Sequence, residues 1–183
     1  MITEEWTVDG GQWLVFLVED SHLAPRTSCL LSPSPAEGYN HPMPLSNDQM
    51  RAVLTEHVEA ENDHDAVRVM ATYSRQGPVF EDVASGARYT GDDIVSENYR
   101  HLWDGFPGLQ RRITRWTFGE DSAVIELTIR GKHEGTFRGI PPSGKDIEFR
   151  IIAHFQFDDE GRIAQETAYY DTLTFMRQLG LTR

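Results

Sequence analysis

Cysteine and long apolar segments are both scarce in this chain of 183 residues. The single cysteine, Cys29, cannot form an internal disulfide, which argues against a disulfide-stabilised scaffold. The longest unbroken apolar run, Trp13 to Val18, has six residues, whereas a membrane-spanning helix needs about 20. Glu4, Glu5 and Asp9 precede this run, where a secretion signal would carry positive charge. We therefore expect a cytoplasmic protein that does not act on membranes.

Basic residues are also few compared with acidic ones. Lys and Arg number 17 against 29 Asp and Glu, giving a formal charge of -12 and a sequence pI near 4.9. Proteins that bind nucleic acid usually carry a basic face, so the composition disfavours a nucleic-acid partner. Hydrophobic residues at 39% and charged residues at 25% are close to globular averages, which predicts an ordinary folded domain.

The first 45 residues differ from the rest of the chain. They contain five of the nine prolines, and only Trp13 to Val18 is strand-like. We interpret residues 1–45 as an N-terminal extension, Pro-rich and partly irregular, followed by one domain over residues 46–183. The extension is either a strand that pairs with the main sheet or a second subunit, or a loosely held tail.

Helical periodicity begins after Ser46, where Met50, Leu54 and Val58 fall on one face. Further on, Thr90 and Asp93 resemble a capping box that opens another helix. The predicted elements up to residue 108 are helices over residues 47–61 and 64–73, a strand over 79–82 and a third helix from residue 90 to Pro107.

The second half of the chain alternates strand-like segments with turn signals. Short connections make neighbouring strands antiparallel, and helices followed by a meander of strands predict an α+β fold. We expect three N-terminal helices packed on a curved, mainly antiparallel sheet around an apolar pocket. The predicted strands are 109–118, 122–137, 146–157 and 162–171, with a closing helix over 172–180.

Strand parity predicts which side chains face this pocket. In the segment 122–137 the odd-numbered residues are mostly apolar and the even-numbered ones polar, so the odd face is buried. His133 has odd parity and should point inward. Gly131 and Gly135 flank it, which indicates space beside the imidazole for a bulge or a ligand.

Asp171 is the candidate general base. It shares parity with Ile163, Thr167 and Tyr169, so its carboxylate is predicted to point into the apolar interior. Burial would raise its pKa toward the range that a general base needs near neutral pH. The alternative is that Asp171 caps the helix that follows, a common position for aspartate.

Other candidates are less specific. His57 and His64 fall near the polar edges of helices and are expected to be solvated. No His-x-x-x-His or Cys-x-x-Cys spacing and no glycine-rich phosphate loop is found, so we expect neither a metal nor a cofactor. His154 shares the polar parity of its strand, which favours the outer face or a subunit contact. The candidate substrate-binding residues are Tyr73, Phe80, Tyr99, Trp103, Phe137, His154 and Tyr169, several of which are equally well explained as core aromatics.

Several segments resemble the SnoaL-like polyketide cyclase family of the nuclear transport factor two-like superfamily. The segment from Gly131 to Lys145 resembles its central signature, and Gly161 to Asp171 with Met176 to Gly180 resembles its last strand and closing helix. Val79 to Asp82 and Tyr89 to Ile94 are similar to its early strand and third-helix entry.

This resemblance implies a cone-shaped α+β barrel that forms a homodimer through the sheet. It also implies a cofactor-free aldol cyclisation, or proton abstraction next to a carbonyl, on an apolar cyclic or polyketide-like molecule. Asp171 would be the acid/base group, and we expect His133 to donate to the enolate oxygen. An isomerase, dehydratase or hydrolase on the same fold, a non-catalytic binding protein and an assembly module remain alternatives.

Overall fold

The computed structural model describes residues 45–182 and, before them, only the backbone of two short strands. These strands, β1 (Trp6–Asp9) and β2 (Gln12–Val15), pair antiparallel as a hairpin. The chain divides into two units, residues 1–40, which hold this hairpin, and residues 41–183, which hold every other element. The predicted strand at Trp13 to Val18 thus overlaps β2, and its last three residues lie outside the described part. The boundary at residues 45 and 46 stays a prediction.

The first two helices begin at side-chain caps. Helix α1 (Asn47–Asn62) starts at Ser46, whose Oγ accepts from the Gln49 N–H at 3.2 Å while Gln49 Oε1 accepts from the Ser46 N–H at 2.9 Å. This reciprocal pair is a capping box, which satisfies two free backbone donors. Helix α2 (Ala66–Thr72) starts at Asp65, which accepts from two backbone N–H groups.

The segment before the third helix differs from the prediction. Strand β3 (Val79–Asp82) has the predicted bounds, but Thr90 belongs to an unpredicted strand β4 (Ala87–Thr90) that pairs with β3. Helix α3 (Asp92–Gly105) is therefore capped by Gly91, without a side-chain hydrogen bond. Gly91 has a φ of +92°, a conformation that glycine adopts without steric cost.

Four long strands and a closing helix complete the domain. The sheet has the order β4-β3-β8-β7-β6-β5, and all neighbours are antiparallel except β3 and β8, which are parallel. The predicted α+β class with a mainly antiparallel sheet is therefore confirmed. The elements are β5 (Gln110–Phe118), β6 (Ser122–Lys132), β7 (Asp146–Phe157), β8 (Ile163–Tyr170) and α4 (Thr172–Leu179).

The core lies between the helices and one face of the sheet. One cluster joins α1, α2 and α3 to the middle strands, and includes Leu54, Tyr99 and Ile125. A second cluster, with Phe106 and Phe175, packs α4 against β7 and the end of α3. Among the residues that the structure describes, no helix is both long and apolar enough to cross a membrane.

Candidate active site

A cavity lies on the inner face of the sheet and encloses about 90 Å³. Its wall is mainly apolar, with contributions from α3, from the loop after it and from β6, β7 and β8. An engineered apolar cavity of about 150 Å³ accepts benzene, so a polyketide-sized ligand requires the wall of this cavity to move. The polar residues of the wall are Glu61, Asp82, Asn98, Tyr99, Arg111, Arg138, Glu166 and Tyr170.

An extra residue in β8 directs Glu166 into this cavity. Ile163 pairs with Phe157 of β7 and Gln165 pairs with Gln156, so Ala164 is one residue more than the partner strand has. Such a bulge reverses the side-chain parity of every residue that follows. Glu166 therefore shares the inner face with Ile163, three residues earlier, and is only 5% exposed.

Three donors surround one oxygen of the Glu166 carboxylate. Oε2 accepts from the Tyr73 hydroxyl at 2.6 Å and from the Tyr99 hydroxyl at 2.7 Å, and lies 3.4 Å from His57 Nε2. The other oxygen, Oε1, has no hydrogen-bond partner within residues 45–182. Because Glu166 also lines the cavity, Oε1 is the oxygen available to a ligand.

The hydrogen-bond directions indicate that His57 is protonated on both nitrogens. The Thr72 hydroxyl donates to the Val69 carbonyl at 2.6 Å, so it must accept from His57 Nδ1 at 2.8 Å. Nε2 faces a carboxylate oxygen, which cannot donate when ionised. Burial lowers the pKa of His57, but the hydrogen bond to Glu166 and the charges of Glu61 and Glu166 outweigh it, and the net pKa is raised above 6.5.

The same contacts keep Glu166 ionised. Burial raises the pKa of Glu166. The hydrogen bond and charge of His57, together with the two tyrosine hydroxyls, lower this pKa by more, so the net pKa falls below 4.5. Burial and the Glu166 charge raise the pKa of Tyr73 and Tyr99 well above 10. Both tyrosines therefore act as neutral donors to a carboxylate.

A buried ion pair lies beside this cluster. Arg111 Nε is 3.2 Å from Glu61 Oε1, and both side chains are almost fully buried. Burial raises the pKa of Glu61 more than Arg111 lowers it. Arg111 Nη1 is buried and has no hydrogen-bond partner among the described residues, although Arg111 lines the cavity. A buried N–H group without a partner is costly, so an acceptor oxygen of a ligand would satisfy it.

A cation could use part of the same donor set. Ligand atoms of His57, Glu61 and Glu166 lie within 4.8 Å of one another. A metal would need neutral His57 and a carboxylate released from Arg111, since metal ligands must be deprotonated. The arrangement fits two carboxyl groups balanced by a guanidinium and an imidazolium better than it fits a divalent ion.

A second polar group on the same wall is formed by Asp82, Arg138 and Tyr170. Asp82, 4% exposed, accepts through Oδ2 from Arg138 Nη2 at 2.9 Å and from the Tyr170 hydroxyl at 3.2 Å. Burial and the Asp82 charge raise the pKa of Tyr170 to about 12. Asp82 pairs with Ala168 of β8 and Phe80 pairs with Glu166. The two polar groups are thus two residues apart along the strands, roughly 7 Å.

Asp171 does not point into the interior, so that prediction is wrong and the capping alternative describes its position. It is exposed and caps α4, accepting from the backbone N–H groups of Leu173 at 2.9 Å and Thr174 at 3.2 Å. The hydrogen bond from the Thr174 side chain, with those backbone bonds, lowers its pKa. The cause is the bulge at Ala164, which moves the odd-numbered residues after it to the other face.

His133 points inward as predicted, but it contacts protein. Its ring is fully buried, stacks on Phe106 at 5.0 Å and accepts through Nδ1 from the Ser143 N–H at 3.2 Å. Burial lowers its pKa. A Cβ atom at Gly135 would collide with the Asp104 carbonyl, so that glycine permits close approach of α3 and leaves no ligand space. His133 is not among the residues that line the cavity.

The other predicted binding residues divide into three groups. Phe80, Tyr99 and Phe137 line the cavity. Tyr73 and Trp103 are buried behind its wall, where Tyr73 reaches Glu166. The last two, His154 and Tyr169, pair with Thr167 and Ile152 on the outer face of the sheet, so they do not reach the cavity.

Four residues of the cluster around Glu166 escaped the sequence reasoning. His57 and Glu61 are four residues apart on the stripe that includes Leu54 and Val58, and this spacing was a usable signal for buried polar groups. The prediction that His57 is solvated is wrong, because it is fully buried; His64 is half-buried and stacks on Trp103. Arg111 pairs with Ile129 on the apolar face of its strand. For Glu166 no signal existed, since the bulge conceals its parity.

A model of the family described as SnoaL-like polyketide cyclase matches residues 51–179. The chain belongs to this family. The matched range includes both polar groups of the cavity and the closing helix. No curated protein matches the chain.

Solved structures agree on the fold. A protein from Jannaschia sp. CCS1, assigned as a SnoaL-like polyketide cyclase, is 20% identical with a TM-score of 0.68, covering 79% of this chain and 98% of its own. TsrD from Streptomyces laurentii is 22% identical with a TM-score of 0.65 and coverages of 75% and 99%. A Catenulispora acidiphila protein with a ketosteroid isomerase-like fold, in complex with trimethylamine, is 17% identical with a TM-score of 0.62 and coverages of 71% and 93%. The fold of this SnoaL-like chain is therefore the ketosteroid isomerase-like α+β cone.

Proposed function

We propose that this SnoaL-like protein is an enzyme that removes a proton next to a carbonyl group of an apolar cyclic or polyketide-like molecule, with Glu166 as the general base. One observation carries the proposal. Glu166 and Arg111 line the same cavity, and each has a polar atom without a hydrogen-bond partner within residues 45–182. These atoms are the acceptor Oε1 of Glu166 and the buried donor Nη1 of Arg111.

The two groups have complementary roles. The ligand carbonyl oxygen accepts from Arg111 Nη1, which stabilises the negative charge that develops as the enolate forms. Glu166 Oε1 takes the proton from the adjacent carbon. The polar cluster becomes one unit more positive by this transfer, beside an oxygen that becomes negative.

The hydrogen bonds to Oε2 determine how Glu166 acts. Tyr73, Tyr99 and His57 fix the carboxylate in place and leave Oε1 free. They also lower its pKa and make it a weak base, so the substrate carbon must already be acidified by its carbonyl. No cofactor is needed for this step.

The proton then leaves Glu166 in one of two ways. In an aldol cyclisation, the enolate carbon attacks a second carbonyl of the same molecule, and the new alkoxide takes the proton from Glu166. In an isomerisation, the proton returns to a different carbon. Both outcomes restore the ionised carboxylate, and the cyclisation is the reaction after which the family is described.

Deuterium uptake by β-tetralone, an apolar bicyclic ketone, tests the proposal. The protein should accelerate uptake in D₂O, followed by proton NMR. Positioned proton transfer contributes about 10²–10⁴-fold, so Glu166→Gln should lose most of the acceleration. Asp171→Asn makes the same chemical change five residues away, outside the cavity, and should leave the rate unchanged. Equal rates for wild type and Glu166→Gln would contradict the proposal.

We also propose that the protein forms a homodimer through the outer face of the sheet. Ile152 and Tyr169 are paired neighbours there and are 48% and 44% exposed. Apolar side chains on an open sheet face favour association. Sedimentation equilibrium should give twice the chain mass, and Ile152→Asp should shift the protein to monomer. A monomeric wild type would rule the dimer out.

A further inference from the structure

In the group formed by Asp82, Arg138 and Tyr170, the guanidinium of Arg138 has hydrogen-bond donors that are not used. Arg138 Nη2 donates to Asp82 and lies 3.4 Å from the Tyr89 hydroxyl. Its Nε and Nη1 groups have no hydrogen-bond partner within residues 45–182. Asp82, by contrast, is well supplied: it accepts from Arg138 and Tyr170, and its Oδ1 accepts from the Ser85 N–H at 3.1 Å. Removing one contact from Arg138 would therefore leave Asp82 partnered.

Arg138 lies where the cavity meets the surface. It lines the interior cavity and also a surface groove formed with His101, Asp104, Thr136 and Gly139. Its side chain is 35% exposed, in contrast to the buried Arg111. A ligand group at Arg138 would thus reach the outer end of the cavity while the ligand body occupies the apolar interior.

The backbone holds Arg138 in this position. Phe137 and Ile140 exchange both backbone hydrogen bonds, at 3.0 and 2.9 Å, around a two-residue turn. Both turn residues have positive φ, +49° at Arg138 and +78° at Gly139. Such turns favour Asn or Gly at the first position, so an arginine there is unusual. The guanidinium lies 5.2 Å from the Phe137 ring, over the cavity wall.

We propose that Arg138 selects ligands that carry a carboxylate on an apolar body. A guanidinium presents its N–H groups in a planar fork that matches a carboxylate, and Arg138 has such groups free beside its bond to Asp82. The chain as a whole carries a charge of -12, which repels anions, so binding must come from local contacts. The inference rests on the proposed function only for ligand orientation, with the reacting carbonyl at Arg111 and the ligand carboxylate at Arg138.

Two small probes test the selection without any catalytic step. Phenylacetate and phenylacetamide share an apolar ring and differ in the charge of the end group, and ligand-observed NMR titration gives both dissociation constants. Wild type should bind phenylacetate more tightly. Arg138→Gln should weaken phenylacetate by about 10- to 100-fold, as expected for a charge-assisted hydrogen bond, and change phenylacetamide little.

Arg130→Gln is the matched control. Arg130 also donates to a carboxylate, Glu148, at 2.8 Å, but neither residue lines the cavity, so this change should preserve the preference. An unchanged preference in Arg138→Gln, an equal loss in Arg130→Gln or no phenylacetate binding by wild type would overturn the inference. The thermal midpoints of all variants identify any loss of binding that comes from unfolding. If Arg138→Gln unfolds, Arg138→Lys is the milder replacement and should keep part of the preference for phenylacetate.

Failure here is distinguishable from failure of the proposed function. β-Tetralone carries no carboxylate group, so its deuterium uptake should depend on Glu166 and not on Arg138. Loss of the phenylacetate preference alone leaves Glu166 as the base, whereas loss of the exchange activity alone leaves Arg138 as an anion-selecting residue.

Discussion

Glu166 and Asp171 are carboxylates five residues apart, one inside β8 and one just after it, and their surroundings are opposite. Glu166 is buried, and its Oε2 accepts from two tyrosines beside an imidazolium, while its Oε1 faces the cavity. Asp171 is exposed, and both of its oxygens accept from the first turn of α4. Both pKa values are lowered, yet only Glu166 retains an oxygen that a ligand can reach. The proposed role of general base therefore falls to Glu166, whose free oxygen lies in an apolar enclosure.

The largest expected effect comes from inserting one alanine between Gln165 and Glu166. The pairing with β7 up to Gln165 is unchanged, so the inserted residue would carry Glu166 to the outer face and turn Tyr169 and Asp171 inward. We expect loss of more than about 4 kcal/mol in the free energy of unfolding, a range that single changes reach only when they bury unpaired charge or disrupt the core. Urea denaturation of the insertion variant measures this loss. Deletion of Ala164 is the control, because it removes the bulge but leaves Glu166 on the same face as Ile163. Native-like stability in the insertion variant would show that the number of residues after Ile163 does not set the parity.

Arg111→Met should come next. It leaves Glu61 buried without its ion-pair partner, and breaking a buried pair in this way costs about 3–5 kcal/mol. Arg130→Met removes an exposed partner of Glu148 and should have little effect, because solvent screens that pair. The double variant Arg111→Met with Glu61→Met should recover much of the loss. Equal stability of Arg111→Met and wild type would mean that water reaches Glu61.

The pH dependence of stability tests the charges of the buried cluster around Glu166. The pKa of His57 is raised above 6.5 in the folded state, so its contribution is fully present below pH 6.5 and is lost as pH rises through the folded-state value. The lowered pKa of Glu166 contributes above pH 4.5 and is lost as pH falls through the folded-state value. Urea unfolding between about pH 5 and 8 should show an alkaline decline that is weaker in His57→Gln. An identical decline in that variant would assign it to other groups.

Asp171→Ala should have the smallest effect. It removes the N-cap of α4 and should lower the thermal midpoint by on the order of a few degrees, since a capping side chain satisfies only exposed backbone donors. Exchange of β-tetralone protons should remain at the wild-type rate. Asp171→Asn keeps an oxygen acceptor and should recover most of the midpoint. A large loss of exchange activity in Asp171→Ala would return this residue to the site.

The periodic spacing of apolar residues made the fold predictable. Helix α1 was recognisable from its apolar stripe and capping residues, and β6 from strict alternation, because each pattern arises from one element and its own period. The strand β4 was missed, since Tyr89 and Thr90 also suit a helix entry. The predicted strand over 122–137 is longer than β6, which ends at Lys132.

The α+β class, the order of most elements and the family were predictable from the residues, since these follow from periodicity, turns and short motifs. Which carboxylate enters the cavity depends instead on the three-dimensional fold. The bulge at Ala164 exists only in the pairing of β8 with β7, and one extra residue exchanges the two faces of the strand. It also brought His57, Glu61, Arg111 and Glu166 from three separate elements into one buried cluster, because burial allows such charges only when they compensate one another.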